Sequence, residues 1–371
     1  MTTLEGEEAV LRRMAMVDAL IAGGHALRHE VADAFREEPR HVYVPRFTRR
    51  RRVEDGSWVS EEVDRRHPDW LDEVYRDQVL LTSTWPSMSS STVPSLMADM
   101  LDALDVRRGM TVTEIGTGTG YNAGLLGRLA GDENVLSIDV APELVFDARA
   151  ALEATGHGEI TVVCGDGGSD SVVKPDSTDR LIATCGVNRL PAAWRRAVHP
   201  GGLIVVALGA GVAVLDVDEE HGVQGRFLST GAYFMSLRPA DGAPLMGRPD
   251  DPKGPAEPCA MPVTAWEDSE FTFLVSLWPS PDEVLTDASS PGVLTLWHRD
   301  GSIATITAEG IARQAGPRRL ADLLGHIWGD YQAHGRPSRS AYRIAVAPDG
   351  THAVSVECTG GEWALFPPYA G

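Results

Sequence analysis

The most constraining feature of this 371-residue sequence is an apolar run at residues 112–115 that leads into glycines at positions 116, 118 and 120. Residues 122–126 then have the composition of a helix start. Glycine allows a backbone to pass close beneath a ligand, because it has no Cβ to block the approach. A nicotinamide dinucleotide site would have its third glycine at position 121, where this sequence has Tyr121. The pattern is instead G-x-G-x-G, with the acidic residue Glu114 two positions before the first glycine.

This form of the turn resembles the first motif of class I S-adenosylmethionine-dependent methyltransferases. The resemblance implies that Glu114 lies near the amino group of the cofactor's methionine part and that the turn passes under the cofactor. It assigns four turn residues to the cofactor site: Gly116, Thr117, Gly118 and Gly120. A glycine-rich turn is weak evidence by itself, because it can also be no more than a tight connection between a strand and a helix.

Three later segments strengthen this interpretation. A strand-like run at 135–139 ends in an acid about 20 residues beyond the turn, where doubly wound folds read ribose hydroxyls. Another at 160–163 precedes Asp166, and the resemblance implies that this acid faces the adenine amino group. A fourth at 179–184 ends at the edge where such folds bind ligands. The further predicted cofactor-binding residues are Asp139, Val140, Gly165, Asp166, Gly167 and Thr184.

These segments predict an α/β fold, the Rossmann-like doubly wound sheet of a class I methyltransferase, with S-adenosylmethionine as cofactor. An N-terminal segment then narrows the family. Residues 31–45 read VADAFREEPRHVYVP and resemble the N-terminal signature of protein L-isoaspartyl O-methyltransferases. From the residues alone, this stretch is a helix followed by extended residues before a proline. The resemblance to the family spans about residues 9–238.

A serine-rich segment, residues 86–95, resembles the loop of this family whose hydroxyl and backbone groups hold the substrate carboxylate. The alignment assigns Ser90, Ser91 and Thr92 to the acceptor site. Ser91 replaces an aliphatic residue of the family pattern, and Ser95 replaces a position that is often histidine or tyrosine. We therefore expect an acceptor pocket that differs from that of the housekeeping repair enzyme. The alternative is a flexible serine-rich loop before the next helix.

Residues 46–52 are strongly basic and include four consecutive arginines. A charge run of this kind is usually a solvated loop, and this is the interpretation we favour. The alternative is an electrostatic contact with an acidic peptide, which would stand out on a protein with a formal charge of −20. Residues 54–69 are polar and predict an irregular segment.

The composition argues against several other classes of protein. Hydrophobic residues make up 43% of the chain, but no apolar run is long enough to span a bilayer, so we expect no membrane association. The first residues lack the layout of a secretory signal, and the four cysteines have no C-x-x-C spacing. We therefore expect a cytoplasmic protein without disulfides or a metal site. The charge of −20 disfavours a nucleic-acid partner, whose phosphates need a basic face.

We predict four parts: an N-terminal helical and substrate-loop region at 1–90, a cofactor-binding core at 91–239, a linker at 240–265, and an α+β C-terminal domain at 266–371. The linker is rich in proline, glycine and aspartate. The last strands of the core are predicted at 222–228 and 232–238. The C-terminal pattern predicts a helix at 318–332 and strands at 271–277, 293–297, 303–306, 342–346 and 353–356.

The whole arrangement resembles the isoaspartyl methyltransferase-like enzymes of ribosomally made peptide pathways, such as those of graspetides, lanthipeptides and lasso peptides. The resemblance implies methylation of an aspartate side chain in an already cyclised precursor peptide, followed by closure to an aspartimide. The added C-terminal domain and the altered serine loop favour this function over repair of isoaspartate in damaged proteins, which stays open as the alternative. A nucleic-acid methyltransferase is disfavoured by charge, and a non-catalytic peptide-binding protein by the intact cofactor motifs.

Overall fold

The computed structural model of the protein describes residues 6–53, 57–238, 247–277, 284–358 and 361–364. No helix within these ranges is long and apolar enough to cross a membrane. Every predicted site residue lies inside the described ranges, whereas residues 240–246 of the predicted linker and the last residue of the predicted core, 239, lie outside them.

The N-terminal part combines helices with a small antiparallel sheet. In chain order its elements are α1 (Glu7–Ala22), α2 (His29–Glu37), α3 (Arg40–Tyr43), β1 (Arg46–Arg52), β2 (Trp58–Asp64), α4 (Trp70–Val74), β3 (Leu80–Ser83) and β4 (Ser89–Ser91). The four strands are ordered β2-β1-β3-β4. The predicted acceptor serines therefore lie on β4, an edge strand of this sheet.

The predictions of a solvated loop at 46–52 and an irregular segment at 54–69 are wrong, because β1 and β2 form a hairpin. Phe47 pairs with Val63 and both are buried, which anchors the two strands. Arg49 pairs with Glu61, and opposite charges directly across antiparallel strands stabilise the pairing. Most residues of β1 are charged, so its sequence shows no alternation of apolar and polar residues that would predict a strand.

The cofactor-binding core follows as alternating helices and strands. Its elements are α5 (Pro94–Leu104), β5 (Val112–Ile115), α6 (Tyr121–Ala130), β6 (Val135–Asp139), α7 (Pro142–Thr155), β7 (Thr161–Cys164), β8 (Thr178–Val187), α8 (Ala192–Ala197), β9 (Val198–Leu208), β10 (Gly211–Val217) and β11 (Val223–Gly231). Strands β7-β6-β5-β8-β9 are neighbours in that order and run parallel. The four predicted core strands are confirmed: β5 and β6 have the predicted ends, and the ends of β7 and β8 differ from the predicted ones by one to three residues.

Strand β5 is the centre of this parallel sheet, and all four of its residues are buried. The chain passes from β5 outward through β6 to β7 and then returns to the other side of β5 as β8. Ligands of open α/β sheets bind outside the carboxyl ends of the strands where the order reverses in this way. The carboxyl ends of β5, β6 and β8 therefore border the candidate crevice.

Residues 232–238 are not the predicted strand. They make a single bridge, between Ser236 and Gly186 at the end of β8, and otherwise run without regular pairing. Two backbone hydrogen bonds of 2.8 Å hold this segment there, from Gly186 N–H to the Met235 carbonyl and from Leu237 N–H to the Gly186 carbonyl. The segment, which we call the strap (residues 232–238), thus passes along the carboxyl edge of the sheet.

The C-terminal part contributes to two sheets. Its elements are β12 (Glu257–Pro258), α9 (Ser269–Ser276), β13 (Leu285–Asp287), β14 (Val293–Trp297), β15 (Ile303–Thr307), β16 (Ile311–Ala315), α10 (Leu320–Ala333), β17 (Tyr342–Val346), β18 (His352–Cys358) and β19 (Gly361–Ala364). Strands β12-β16-β15-β14-β13 form a separate sheet. Strand β17 pairs antiparallel with β11, so β17, β18 and β19 extend the core sheet to ten strands.

The predicted strand at 271–277 is wrong, because these residues form most of helix α9. Asp268 caps the helix, since its side chain accepts hydrogen bonds from the backbone N–H groups of Glu270 and Phe271. Phe271 and Leu274 are both fully buried and three residues apart, the spacing of one helix face. A short run that is apolar on consecutive residues does not distinguish a strand from a buried helix.

One apolar cluster joins the C-terminal part to the core sheet. Phe273 of α9 stacks edge-on against Phe227 of β11 with ring centroids 4.9 Å apart, and against Tyr342 of β17 at 5.5 Å. All three rings are buried in the same cluster as Trp194 of α8. The division at residue 266 remains a prediction, but the described residues on its two sides share this apolar core.

Replacing Phe273 with alanine tests the shared core. Loss of a buried phenylalanine ring from such a cluster costs about 3–5 kcal/mol. We expect F273A to lower the free energy of unfolding of the whole chain in a single urea transition, observed alike by far-ultraviolet circular dichroism and tryptophan fluorescence. Phe146→Ala, which removes a ring that is 73% exposed, is the matched control. Two separate transitions, with only one shifted, would contradict the shared core.

Candidate active site

The glycine turn between β5 and α6 has a backbone that suits glycine. Gly116, Gly118 and Gly120 have φ angles of +98°, +53° and +85°, in the left-handed region that other residues rarely adopt. A Cβ at Gly116 would lie 2.8 Å from Thr184 Oγ1, which donates a 2.6 Å hydrogen bond to the Gly116 carbonyl. The predicted residue Thr184 therefore holds the turn from the end of β8.

Asp139 at the end of β6 fastens the other side of the turn. Its carboxylate accepts one hydrogen bond of 3.0 Å from the Gly118 N–H and another of 3.0 Å from the Ala141 N–H. The half-buried Val140 is the residue between Asp139 and Ala141 in the chain. Arg238 of the strap approaches the same carboxylate, with Nη2 3.7 Å from Oδ1. The structure thus brings the predicted ribose-reading acid to the turn and adds a cation that the sequence did not indicate.

Glu114, the last residue but one of β5, is held by hydrogen bonds within the protein. It is fully buried, and its two oxygens accept hydrogen bonds from Asn122 Nδ2, at 2.7 Å, and from the Ser137 hydroxyl. Ser137 Oγ also lies 2.6 Å from Thr117 Oγ1. The expectation that Glu114 lies near the amino group of the cofactor stays a prediction. Its network supports the turn through Thr117 and the first helical turn through Asn122.

The third predicted cofactor segment, Gly165 to Gly167, also reaches the crevice. The Gly165 N–H donates to the Asp139 carbonyl at 2.9 Å, and the Asp166 carboxylate accepts from the Gly168 N–H at 2.8 Å. The Gly167 carbonyl accepts a 2.6 Å hydrogen bond from the indole of buried Trp194. Asp166 is therefore held at the same edge as Asp139, one strand further out.

Strand β4 brings the acceptor serines to the glycine turn. Ser89 Oγ lies 3.6 Å from the position that a Cβ at Gly118 would take, and the Ser90 carbonyl lies 3.8 Å from it. Ser89 and Ser91 are both buried and, being two residues apart in a strand, share a face, whereas the half-buried Ser90 points to the other. The structure thus places β4 next to the turn and identifies Ser89, which sequence analysis missed.

The sequence contains part of the signal that would identify Ser89. The serines at 89, 90 and 91 have the same chemistry, and only the alternation of a strand separates their directions. Arg40, also missed, donates hydrogen bonds from Nε and Nη2 to Ser91 Oγ at 3.3 and 3.2 Å. It stands in the family-like signature at 31–45, but nothing in the sequence connects it to a residue fifty positions away.

Two of the five arginines of β1 contact neighbouring acids. Arg49 lies 2.9 Å from Glu61, 3.2 Å from Asp69 and 3.1 Å from Glu73. Arg51 also reaches Glu61, at 3.5 Å. These contacts reduce the local positive potential that an electrostatic hold on an acidic peptide needs. Across the described ranges, no group of three or more His, Cys, Asp or Glu side chains is arranged to hold a metal ion.

The parallel sheet with its glycine turn, and the acids at the ends of two neighbouring strands, define a class I S-adenosylmethionine-dependent methyltransferase. The residues present fit the cofactor: the glycines at 116, 118 and 120 have left-handed φ angles and no side chains that would cover the turn, and Asp139 and Asp166 lie at or just beyond successive strand ends.

Comparisons with known proteins then identify the family. A family model described as Protein-L-isoaspartate(D-aspartate) O-methyltransferase (PCMT) matches residues 11–221. The chain belongs to this family. A protein-L-isoaspartate O-methyltransferase of Ignicoccus hospitalis is 32% identical over 214 residues, which are 57% of this chain and 85% of the relative. Protein-L-isoaspartate O-methyltransferase 2 of Archaeoglobus fulgidus is 29% identical over 52% of this chain and 77% of its own length.

One solved structure extends the likeness beyond the family model. A protein-L-isoaspartate O-methyltransferase is similar with a TM-score of 0.56 over 94% of this chain and 99% of the solved chain, at 20% sequence identity. The fold of the C-terminal part is therefore also present in a protein of that name. The presence of the added C-terminal part therefore does not separate modification of a ribosomally made peptide from repair of isoaspartate.

Replacing Asp139 with alanine should abolish measurable cofactor binding. The family resemblance assigns the ribose hydroxyls to this carboxylate, and hydrogen bonds to a charged group contribute about 1.5–3 kcal/mol each. Losing two of them predicts a decrease in S-adenosylmethionine affinity of about 100-fold or more, measured by isothermal titration calorimetry. Asp147→Ala, an exposed aspartate on α7, is the control. Binding by D139A within about twofold of the parent would refute the assignment.

Glu114 should make the stability of the protein depend on pH. Burial raises the pKa of Glu114 to about 7, so ionisation is less favourable in the folded chain than in the unfolded one. Between an ordinary glutamate pKa and about 7, the parent therefore loses stability as the pH rises. Glutamine mimics the protonated form and has no such loss.

We therefore expect the stability advantage of E114Q over the parent to grow by about 2–4 kcal/mol between about pH 5 and pH 8. Urea denaturation at each pH measures it. Glu153→Gln, an exposed glutamate on α7, controls for the loss of one negative charge. An E114Q difference that does not change with pH would show that Glu114 ionises without penalty.

Proposed function

We propose that the protein transfers a methyl group from S-adenosylmethionine to the free carboxylate of an isoaspartyl residue in a peptide or protein. The observation that supports this most is the position of β4, whose serines lie beside the glycine turn with Ser89 Oγ 3.6 Å from a Cβ position on Gly118. Hydroxyl groups suit a carboxylate, because each can donate one hydrogen bond. The relatives named above as protein-L-isoaspartate O-methyltransferases support the same acceptor.

The reaction needs no general base from this chain. A carboxylic acid with a pKa of about 4 is already ionised at neutral pH, so no proton has to be removed from the acceptor. When bound, the cofactor supplies an electrophilic methyl group. The residues of the chain have two tasks: the glycine turn and Asp139 hold the donor, and the hydroxyls of β4 and Thr92 orient one carboxylate oxygen toward it. Such orientation can lower the activation barrier by several kcal/mol, and by about 7 kcal/mol or more in the best cases.

The product is a neutral ester, whose methoxy group leaves far more readily than an oxygen of the carboxylate. The backbone nitrogen that follows the methylated residue can attack the ester carbonyl, form a five-membered succinimide and release methanol. This closure needs no group of the enzyme.

A second candidate acceptor is an ordinary aspartate in a ribosomally made precursor peptide, with closure to an aspartimide. The acceptor strand favours it: Ser91 stands where the family pattern has an aliphatic residue, and its hydroxyl is buried against Arg40. Ser95, which replaces an aromatic position, uses its backbone N–H to bond Asp77 at 2.8 Å. The C-terminal part supports neither candidate over the other.

Two peptides of the same composition distinguish the candidates. One carries isoaspartate and the other aspartate at the same position, and a precursor peptide encoded near the gene is the third substrate. Mass spectrometry after incubation with S-adenosylmethionine should show a gain of one methyl mass on the isoaspartyl peptide, followed by loss of methanol. Methylation of the aspartyl precursor alone would favour the second candidate. No transfer to any of the three by a protein that binds the cofactor would refute both.

The hydroxyls of the acceptor strand should affect the acceptor and not the donor. We expect the double substitution Ser90→Ala and Thr92→Ala to lower kcat/KM for the accepted peptide about 100-fold, since two hydrogen bonds to a charged group are lost. The affinity for S-adenosylmethionine should stay within about twofold of the parent. Thr48→Ala with Ser60→Ala, on the far strands of the same sheet, is the matched control. Unchanged turnover would move the acceptor site away from β4.

A further inference from the structure

Arg40 is a buried cation that joins the acceptor strand to the cofactor helix. Its side chain is fully buried at the start of α3. Besides Ser91 Oγ, its guanidinium donates to the carbonyls of Thr92, at 3.0 Å, and Val74, at 2.9 Å. Its Cζ lies 5.9 Å from the ring centroid of Tyr121, the first residue of α6. Arg40 therefore lies between β4 and the helix that follows the glycine turn.

All the hydrogen-bond acceptors of Arg40 are neutral. The remaining two are the backbone carbonyls of Arg76, at 3.2 Å, and Gln78, at 3.3 Å. No carboxylate among the described residues forms an ion pair with Arg40. The carboxylate with an electrostatic effect on its pKa is Asp77, which acts at longer range and accepts a hydrogen bond from the Ser95 N–H. Burial lowers the pKa of Arg40 to about 10, so it remains a cation at neutral pH.

A buried charge without a counter-ion is expensive, even when its hydrogen bonds are satisfied. Carbonyl dipoles can hold a guanidinium in place, but they leave its net charge uncompensated. The acceptor of the proposed reaction brings a negative charge to the strand that Arg40 supports. Charges of opposite sign attract strongly across a short, water-excluding layer of protein.

We propose that Arg40 is a positioning residue that supplies the counter-charge for the acceptor carboxylate, acting from behind Ser91 and Thr92. This inference rests on the proposed carboxylate acceptor, whether isoaspartyl or aspartyl. Arg40 also orients Ser91. Both hydrogen bonds that it donates to Ser91 end on Oγ, so the hydroxyl hydrogen of Ser91 must point away from the guanidinium.

The direction of the kinetic effect follows from the charges. The bound carboxylate carries a full negative charge, which diminishes as the oxygen bonds to the methyl group and vanishes in the ester. A nearby cation therefore stabilises the bound acceptor more than the transition state. Loss of the charge should weaken acceptor binding without lowering kcat, whereas a loop that has merely been displaced should lower kcat.

Arg40→Gln and Arg40→Lys separate charge from shape. We expect R40Q to raise the acceptor KM at least about tenfold, with kcat equal to or above that of the parent. The acceptor KM of R40K should stay close to that of the parent. Arg195→Gln is the matched control, because Arg195 is also buried and donates to neutral carbonyls, those of His221 at 2.8 Å and Ala347 at 3.1 Å. It should lower the melting temperature but leave the acceptor KM unchanged.

A binding measurement keeps the proposal testable if R40Q fails to fold. With S-adenosylhomocysteine in place of the methyl donor, the parent is titrated with the acceptor peptide and with the same peptide carrying a carboxamide in place of the acceptor carboxylate. The carboxylate should bind at least about tenfold more tightly in the parent and in R40K, and this preference should disappear in a folded R40Q.

Two results would overturn the proposal: a parent that binds both peptides equally, or an R40Q protein with unchanged acceptor KM and lowered kcat. Failure of the proposed function is a different outcome. In that case the parent methylates neither the isoaspartyl peptide nor the aspartyl precursor, although it binds S-adenosylmethionine.

Discussion

The carboxylate of Asp139 is the contact on which the arrangement of the site depends. One oxygen holds the N–H of Gly118 and the other holds the N–H of Ala141, so a single side chain fixes the glycine turn after β5 and the start of α7 after β6. The left-handed glycines make the turn possible, but their freedom also makes it costly to order, since glycine loses the most conformational entropy on folding. Hydrogen bonds from Asp139 and Thr184 offset this cost from the two neighbouring strands.

The acceptor side of the crevice is held by a different principle. Strand β4 is three residues long and lies at the edge of its sheet, so its own ladder can contribute little. Arg40 adds three hydrogen bonds to Ser91 and Thr92 from behind. A rigid cation is well suited to this position, because the guanidinium offers five donors in a fixed plane. The donor side thus contains buried acids and the acceptor strand a buried cation, charges that suit the proposed transfer from a cationic sulfonium to an anionic carboxylate.

The cofactor half of the site could be predicted from sequence because its signals are local. The glycine spacing lies within residues 116–120, and each acid lies at or just after the end of its own predicted strand. The geometry of a parallel sheet then brings these strand ends to one edge. The role of Glu114 could not be predicted in the same way. Whether an acid beside the turn faces the ligand or the interior depends on Asn122 and Ser137, which lie on other elements.

The acceptor half depends on contacts between distant residues. Arg40 and Ser91 are 51 positions apart, and strand pairing between β11 and β17 joins residues more than a hundred positions apart. The hairpin β1–β2 was missed because cross-strand charge pairs replace apolar alternation. Helix α9 was missed because an apolar run on consecutive residues fits both a strand and a buried helix. For Arg40 and β17 the deciding partner is far away in the chain, whereas the hairpin and α9 have local patterns that fit more than one structure.

The C-terminal part bears on the site through the strap. Strand β11 pairs with β17 on one side and ends at Gly231, and the strap then carries the chain across Gly186 to Arg238 beside Asp139. Because α9 packs Phe273 against both β11 and β17, the origin of the strap is fixed by the apolar cluster of the C-terminal part. The two hydrogen bonds at Gly186 fix its middle. The seven residues of the strap therefore join the apolar cluster of the C-terminal part to the carboxylate that holds the glycine turn, so the packing of α9 and the position of Arg238 belong to one continuous path of contacts.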